Sequence, residues 1–182
     1  KPHRASAQRR RAALLEAAAE LAAELGAGAV THRAVAARAG VSLSTTSYFF
    51  ASIDDLVAEA LCSNVTELVD TFDAAEKAWV LSDGEPPEDV IGRMVDALLE
   101  GSEASKATQV ELFLGASRDP KIRGELSDAV QRMAERTAWQ IDRDGGRGSQ
   151  DSAWAVLALV DGEMLHRVAG VDVDHRDRLH RG

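Results

Sequence analysis

Residues 40–50 read GVSLSTTSYFF, with five hydroxyl side chains among small residues and three aromatics closing the run. Aromatic residues make up only 4% of the chain, so three in a row must serve a local purpose. A buried strand would alternate β-branched apolar residues, and a core helix would be built from Leu and Ala. This segment does neither. Short hydrogen-bonding side chains on a helix let the backbone approach a partner closely. That property suits a helix entering a DNA major groove about 12 Å wide.

The flanking residues supply the frame for such a helix. Upstream, Leu14, Ala18, Leu21 and Leu25 recur at helical spacing, and Gly26 and Gly28 end that helix. Thr31 stands at an N-cap position, and Val35, Ala36 and Ala39 continue a short second helix to Gly40. Ser42 then caps a third short helix that runs to about Phe49. Two short helices joined by a tight glycine turn form a helix-turn-helix. In it Ser42, Ser44, Thr45, Thr46 and Ser47 face the groove, Tyr48 reaches a phosphate or a base edge, and Phe50 turns inward.

Charge distribution supports this reading although the net charge of −9 alone opposes it. Residues 1–50 carry seven Lys or Arg against three Glu, a balance of +4, and the remainder carries −13. A basic head attracts phosphate while an acidic body stays off it. A disordered basic tail would account for residues 1–11, but not for Arg33 and Arg38.

The rest of the chain reads as helix. Ser52 with Asp55 three residues on gives a capping-box pattern, and Val57, Leu61, Val65, Leu68 and Phe72 mark a long fourth helix reaching Trp79. Pro87 opens a fifth, with Ile91, Met94, Val95, Leu98 and Leu99 inward. A sixth covers about 104–117 with Val110, Phe113 and Leu114. Asp119-Pro120 starts a seventh with Ile122, Leu126, Val130, Met133 and Ile141. Residues 144–151 (DGGRGSQD) make a loop before a last helix with Trp154, Leu157, Ala158, Leu165 and Val168. The expected fold is all-α, with a DNA-binding domain over 1–51 and a helical body over 52–182.

Other classes find little support. No G-x-S-x-G, H-E-x-x-H or phosphate-binding glycine loop is present, and GGRGS lacks the Lys of a P-loop, so no enzyme and no cofactor are expected. Asp172, Asp174, His175 and His180 lie in a charged tail and read as solvated rather than as a metal site. No apolar run reaches the roughly 18 residues of a membrane span. The single cysteine, Cys62, falls on a core stripe and fits a reducing cytoplasm.

At this point the sequence resembles the TetR family of transcriptional regulators. The likeness runs over about residues 9–60: Arg11, Leu14, Leu15, Ala17-Ala18, Gly26, Thr31, Val35-Ala36, Ala39-Gly40-Val41-Ser42, Thr45, Tyr48-Phe49-Phe50, Ser52 and Asp54-Asp55-Leu56. The family's usual form is close to T-x-x-x-I-A-x-x-A-G-V-S-x-G-T-L-Y-x-Y-F-x-S-K-x-x-L. Three departures stand out: Ser44 for the usual Gly, Ser47 for the usual Tyr, and Ile53 for a Lys that often meets phosphate. With that Lys absent, DNA affinity should lean on Arg9, Arg10, Arg11 and Arg33.

The resemblance implies an N-terminal three-helix DNA-binding unit, a ligand-binding and dimerisation body, and repression relieved by a small molecule. The residues expected at DNA are Arg9, Arg10, Thr31, Arg33, Ser42, Leu43, Ser44, Thr45, Thr46, Ser47 and Tyr48. A mostly apolar effector pocket is expected among Phe72, Met94, Leu98, Phe113 and Trp154, with His166 as its polar anchor. The expected partners are palindromic operator DNA, a small effector and a second copy, paired through helices at about 121–143 and 152–169. A DNA-binding protein whose body only dimerises stays open as the alternative, and a helical enzyme stands further off.

Overall fold

A computed structural model describes residues 2–80, 93, 96–98 and 103–171. The described elements are helices: α1 (Pro2–Leu25), α2 (His32–Arg38), α3 (Leu43–Phe49), α4 (Ile53–Val80), α5 (Glu103–Arg118), α6 (Pro120–Arg143) and α7 (Ser149–Val168), with a 3₁₀ turn at Ala27–Ala29. Residues 93 and 96–98 are helical as well. The expected inward residues Ile91, Met94, Val95 and Leu99, the side chain of Trp79 and the tail beyond Val171 lie outside the described residues.

Local signals place the helix ends. The Thr31 hydroxyl accepts the Ala34 N–H at 3.2 Å, and the Ser52 hydroxyl accepts the Asp55 N–H at 3.0 Å, so α2 and α4 each start on a side-chain cap. Each such cap contributes about 1 kcal/mol. Helix α7 begins at Ser149, inside the stretch expected to be loop, after Gly148.

Packing gathers the chain into two compact units. One compact unit lies within residues 1–66 and 103–126, the other within 67–102 and 127–182. In the first, α1 packs along α5 and α2 against both α1 and α3. Its core holds Leu14, Ala18, Val35, Phe50, Leu56, Leu61 and Leu112, all 5% exposed or less. Gly115 on α5 is there because of a close approach. A Cβ would meet Leu61 Cδ1 at 2.9 Å and Ile122 Cδ1 at 3.2 Å, so a larger residue would push α5 off α4.

In the second unit, Phe72, Met133, Ala134 and Leu157 form one buried cluster, edged by Leu68, Leu98 and Val130. Ala75 and Val156 form another, edged by Ala97, Leu98 and Ile141. Arg136 closes the outer side of Phe72, with its guanidinium 5.2 Å from the ring centroid and bonded to Asp73 and Glu76.

Candidate nucleic-acid interface and the helical body

The turn between α2 and α3 is built by the backbone. Val41 N–H donates to Ala36 O at 3.0 Å and Gly40 N–H to Ala37 O at 3.3 Å, with Gly40 at φ +66°. That left-handed conformation favours glycine. Ser42 occupies the N-cap of α3, but its hydroxyl pairs with the hydroxyls of Ser44 (2.9 Å) and Thr45 (2.8 Å) rather than with a backbone N–H. These three hydroxyls form a chain at the exposed start of the helix, each keeping lone pairs for a further partner.

Helix α3 has a clear inside and outside. Leu43, Ser44, Ser47 and Tyr48 are exposed, and at spacings of one, four and five residues they share one face. Tyr48 is the most open, at 80%, and its ring meets Phe49 edge-on at 5.0 Å. Thr46 corrects the sequence expectation. It is completely buried, and its hydroxyl donates to Leu43 O at 2.7 Å, so it is not available to a base edge. Four residues before the buried Phe50, it belongs to the inward stripe. The signal was present, since the family pattern places a Leu at this position.

The basic head also sorts into two sets. Arg11 ion-pairs with Glu59 and its guanidinium lies 5.3 Å from the Phe50 ring centroid, so it binds the first helix to the fourth. Arg38 donates to Glu24 at 2.7 and 2.9 Å and to Glu20 at 3.0 Å. Hydrogen bonds from Arg38 pull the Glu24 carboxyl below its usual range, and those carboxylates in turn raise the Arg38 guanidinium. Both arginines belong to the basic head by sequence, whereas the fold commits them to internal pairs. Arg9, Arg10, Arg33 and Thr31 are exposed, and Thr45 is partly so.

The residues expected around an effector divide as well. Phe72 is 2% exposed and Leu98 is partly buried beside it. Trp154 is 41% exposed and His166 is also exposed, so in this chain both lie on the outside of the second unit. Phe113 belongs to the first unit. The expectation that Trp154 and His166 line a buried pocket with Phe72 is therefore corrected. A helical stripe identifies apolar positions but not which neighbour covers each one. The second unit instead buries two polar groups that the sequence did not single out, Thr137 and Gln140 on α6, and Asp161 on α7 is partly buried. Burial pushes the Asp161 carboxyl above its usual range.

Comparison with known proteins agrees with this architecture. Residues 14–60 match the family model described as bacterial regulatory proteins, tetR family. Residues 83–181 match the tetracyclin repressor-like C-terminal domain. A transcriptional regulator from Saccharomonospora viridis, solved in complex with choline, is 27% identical with a TM-score of 0.75, over 96% of this chain and 94% of that one. The multidrug binding protein EbrR complexed with proflavin is 27% identical with a TM-score of 0.64, over 93% and 95%. A transcriptional regulator from Streptomyces coelicolor A3(2) is 28% identical with a TM-score of 0.65, over 88% and 87%. No curated protein matches the sequence.

Proposed function

The chain belongs to the TetR family of transcriptional regulators, and from that premise we propose that it is a ligand-responsive repressor. It works in the cytoplasm as a homodimer on palindromic operator DNA and is released by a small, mostly apolar molecule held in its body. It is a regulator with a helix-turn-helix DNA-binding domain, not an enzyme. The DNA-binding domain is assigned to residues 1–51 and the effector and dimerisation domain to 52–182.

The observation that carries the reading is the exposed face of α3. Leu43, Ser44, Ser47 and Tyr48 stand outward while Thr46 and Phe50 anchor the helix from below. A rigid helix with short polar groups and one long aromatic outside can approach base edges, while Arg9, Arg10, Arg33 and Thr31 reach flanking phosphates. The two recognition helices of a dimer address half-sites spaced by about 34–36 Å or multiples of it.

Sensing is supported by the relatives solved with choline and with proflavin. Helix α4 runs unbroken from Ile53, beside the recognition helix, to Val80, beyond Phe72, and offers a mechanical link. A ligand that prefers one tilt of α4 changes the spacing of the recognition helices. A coupling of about 1–3 kcal/mol shifts operator affinity about 5- to 150-fold.

The test is selection of binding sites from a random duplex library by the full-length protein, followed by titration of the selected duplex. A palindromic consensus bound by a dimer is the expected result. Recovery of unrelated sequences, or binding indifferent to Tyr48→Ala, would overturn it. By linkage, operator DNA must weaken the effector by the same factor as the effector weakens DNA.

A further inference from the structure

Helix α6 presents Val130, Met133, Ala134, Thr137, Gln140 and Ile141 along one side, all buried or partly buried. Thr137 stands one turn on from Met133 and Ala134 and one turn before Ile141, on the same face. Met133 and Ala134 belong to the cluster with Phe72 and Leu157, while Ile141 packs on the one with Ala75 and Val156. Leu98 borders both. By register, Thr137 occupies the step between two apolar clusters.

Its chemistry does not fit that place. Thr137 is 2% exposed and its Oγ1 has no hydrogen-bond partner among the described residues. Four other helix hydroxyls among the described residues are satisfied by the preceding turn: Thr46 donates to Leu43 O, Ser63 to Ala60 O, Thr71 to Glu67 O and Ser117 to Leu114 O. The neighbouring buried amide, Gln140, is satisfied too when its oxygen faces the Arg143 guanidinium. A buried hydroxyl without a partner destabilises the fold, and valine would fill the same shape without that cost. The orphan is accounted for when the missing partner arrives with a ligand.

We propose that Thr137 is the polar anchor of the effector site, its hydroxyl accepting a hydrogen bond from an amine on an otherwise apolar ligand seated against Phe72, Leu98 and Leu157. The amine follows from a neighbouring acid, and Oγ1 supplies the acceptor that its N–H needs. The partly buried Asp161 stands one helical turn on from Leu157, a member of that cluster, and has no ion-pair partner among the described residues. A cationic amine therefore meets a carboxylate on α7 as well as the hydroxyl on α6, within a body whose residues 51–182 carry a balance of −13. This assignment rests on the reading of the chain as a ligand sensor and moves the anchor from His166 to Thr137.

The experiment uses full-length protein and proflavin, a flat aromatic amine, as the probe. Binding is followed by fluorescence, and melting temperature is recorded with and without the dye. Thr137→Val should raise the melting temperature of the free protein by about 2–4 °C, because the orphan is gone. The same change should weaken proflavin about tenfold, the loss of one hydrogen bond. Thr137→Ser keeps the hydroxyl and should bind within about threefold of wild type on the same scale. A lower melting temperature for Thr137→Val, unchanged dye affinity in it, or no binding of proflavin to wild type would each overturn the assignment. Operator affinity measured at saturating dye separates the two readings: if it does not change while Thr137→Val still loses the dye, the sensor reading fails and the anchor stands.

Discussion

The carboxylate of Glu111 on α5 accepts the backbone N–H of Ala27 at 3.0 Å, across 84 residues of sequence. Ala27 opens the 3₁₀ turn that joins α1 to α2, where N–H groups have no helical partner. One acidic side chain thus holds the turn that sets the direction of the helix-turn-helix. Glu111→Ala should destabilise the protein by about 1–3 kcal/mol, the range for a backbone donor left without its acceptor. Glu111→Gln, which keeps an oxygen in place, should recover part of that loss. Thermal unfolding of the three proteins checks it.

Tyr48 and Thr46 should part company on mutation. Tyr48→Ala should leave unfolding unchanged and alter preference among operator variants by about 1–3 kcal/mol per lost base contact. Thr46→Ala should lower the melting temperature, since the side chain is wholly buried and bonded to Leu43 O, and should leave the ranking of operators intact. Fluorescence anisotropy on a panel of duplexes, beside thermal scans, reads both effects.

Arg33 and Arg38 should differ in the same way for phosphate. Arg33 is exposed, whereas Arg38 is held by Glu20 and Glu24. Replacing Arg33 by Ala should reduce the slope of log affinity against log salt by about 1. Replacing Arg38 by Ala should leave that slope near the wild-type value.

Dimerisation should depend on the apolar side chains that the second unit leaves outside. Trp139, Trp154, Leu165 and Val168 are 61, 41, 50 and 37% exposed, and all sit on α6 and α7. In the proposed dimer these are the side chains that a second copy would cover. Leu165→Glu combined with Trp139→Glu should weaken the dimer at least about 100-fold, as expected when central interface residues are lost. Sedimentation velocity at micromolar concentration should then show monomer. A dimer that survives both changes would place the interface elsewhere.

Asp161 should make the protein less stable as pH rises. Burial lifts its folded carboxyl above the ordinary value, so the folded state holds a proton that the unfolded chain has already released. Its contribution to stability is therefore fully present below about pH 4, the unfolded value, and is lost as pH rises through the interval up to the raised folded value. Asp161→Asn removes that titration. The variant should melt with the wild type at the acid end and above it at neutral pH. A constant difference from pH 3.5 to 7 would show that the carboxyl is not held in its neutral form.

Much of the fold is local, and that is why the sequence alone determined it. The caps at Thr31 and Ser52, the turn at Gly40 and the 3.6-residue stripes depend on bonds between residues three to five apart. Such bonds form whatever the rest of the chain does. The helix-turn-helix and the basic head were legible for the same reason. Only the tertiary structure decided which members of each pattern stay free. Thr46 faces the core because Phe50 pulls that side of α3 inward, and Arg11 and Arg38 are spent on carboxylates 48, 18 and 14 residues away. Trp154 and His166 look outward, and Thr137, unremarked in a polar stretch of sequence, lies buried on the helix face that carries Met133, Ala134 and Ile141. A stripe records that a face is apolar. What covers that face is set by distant contacts, and no local pattern encodes them.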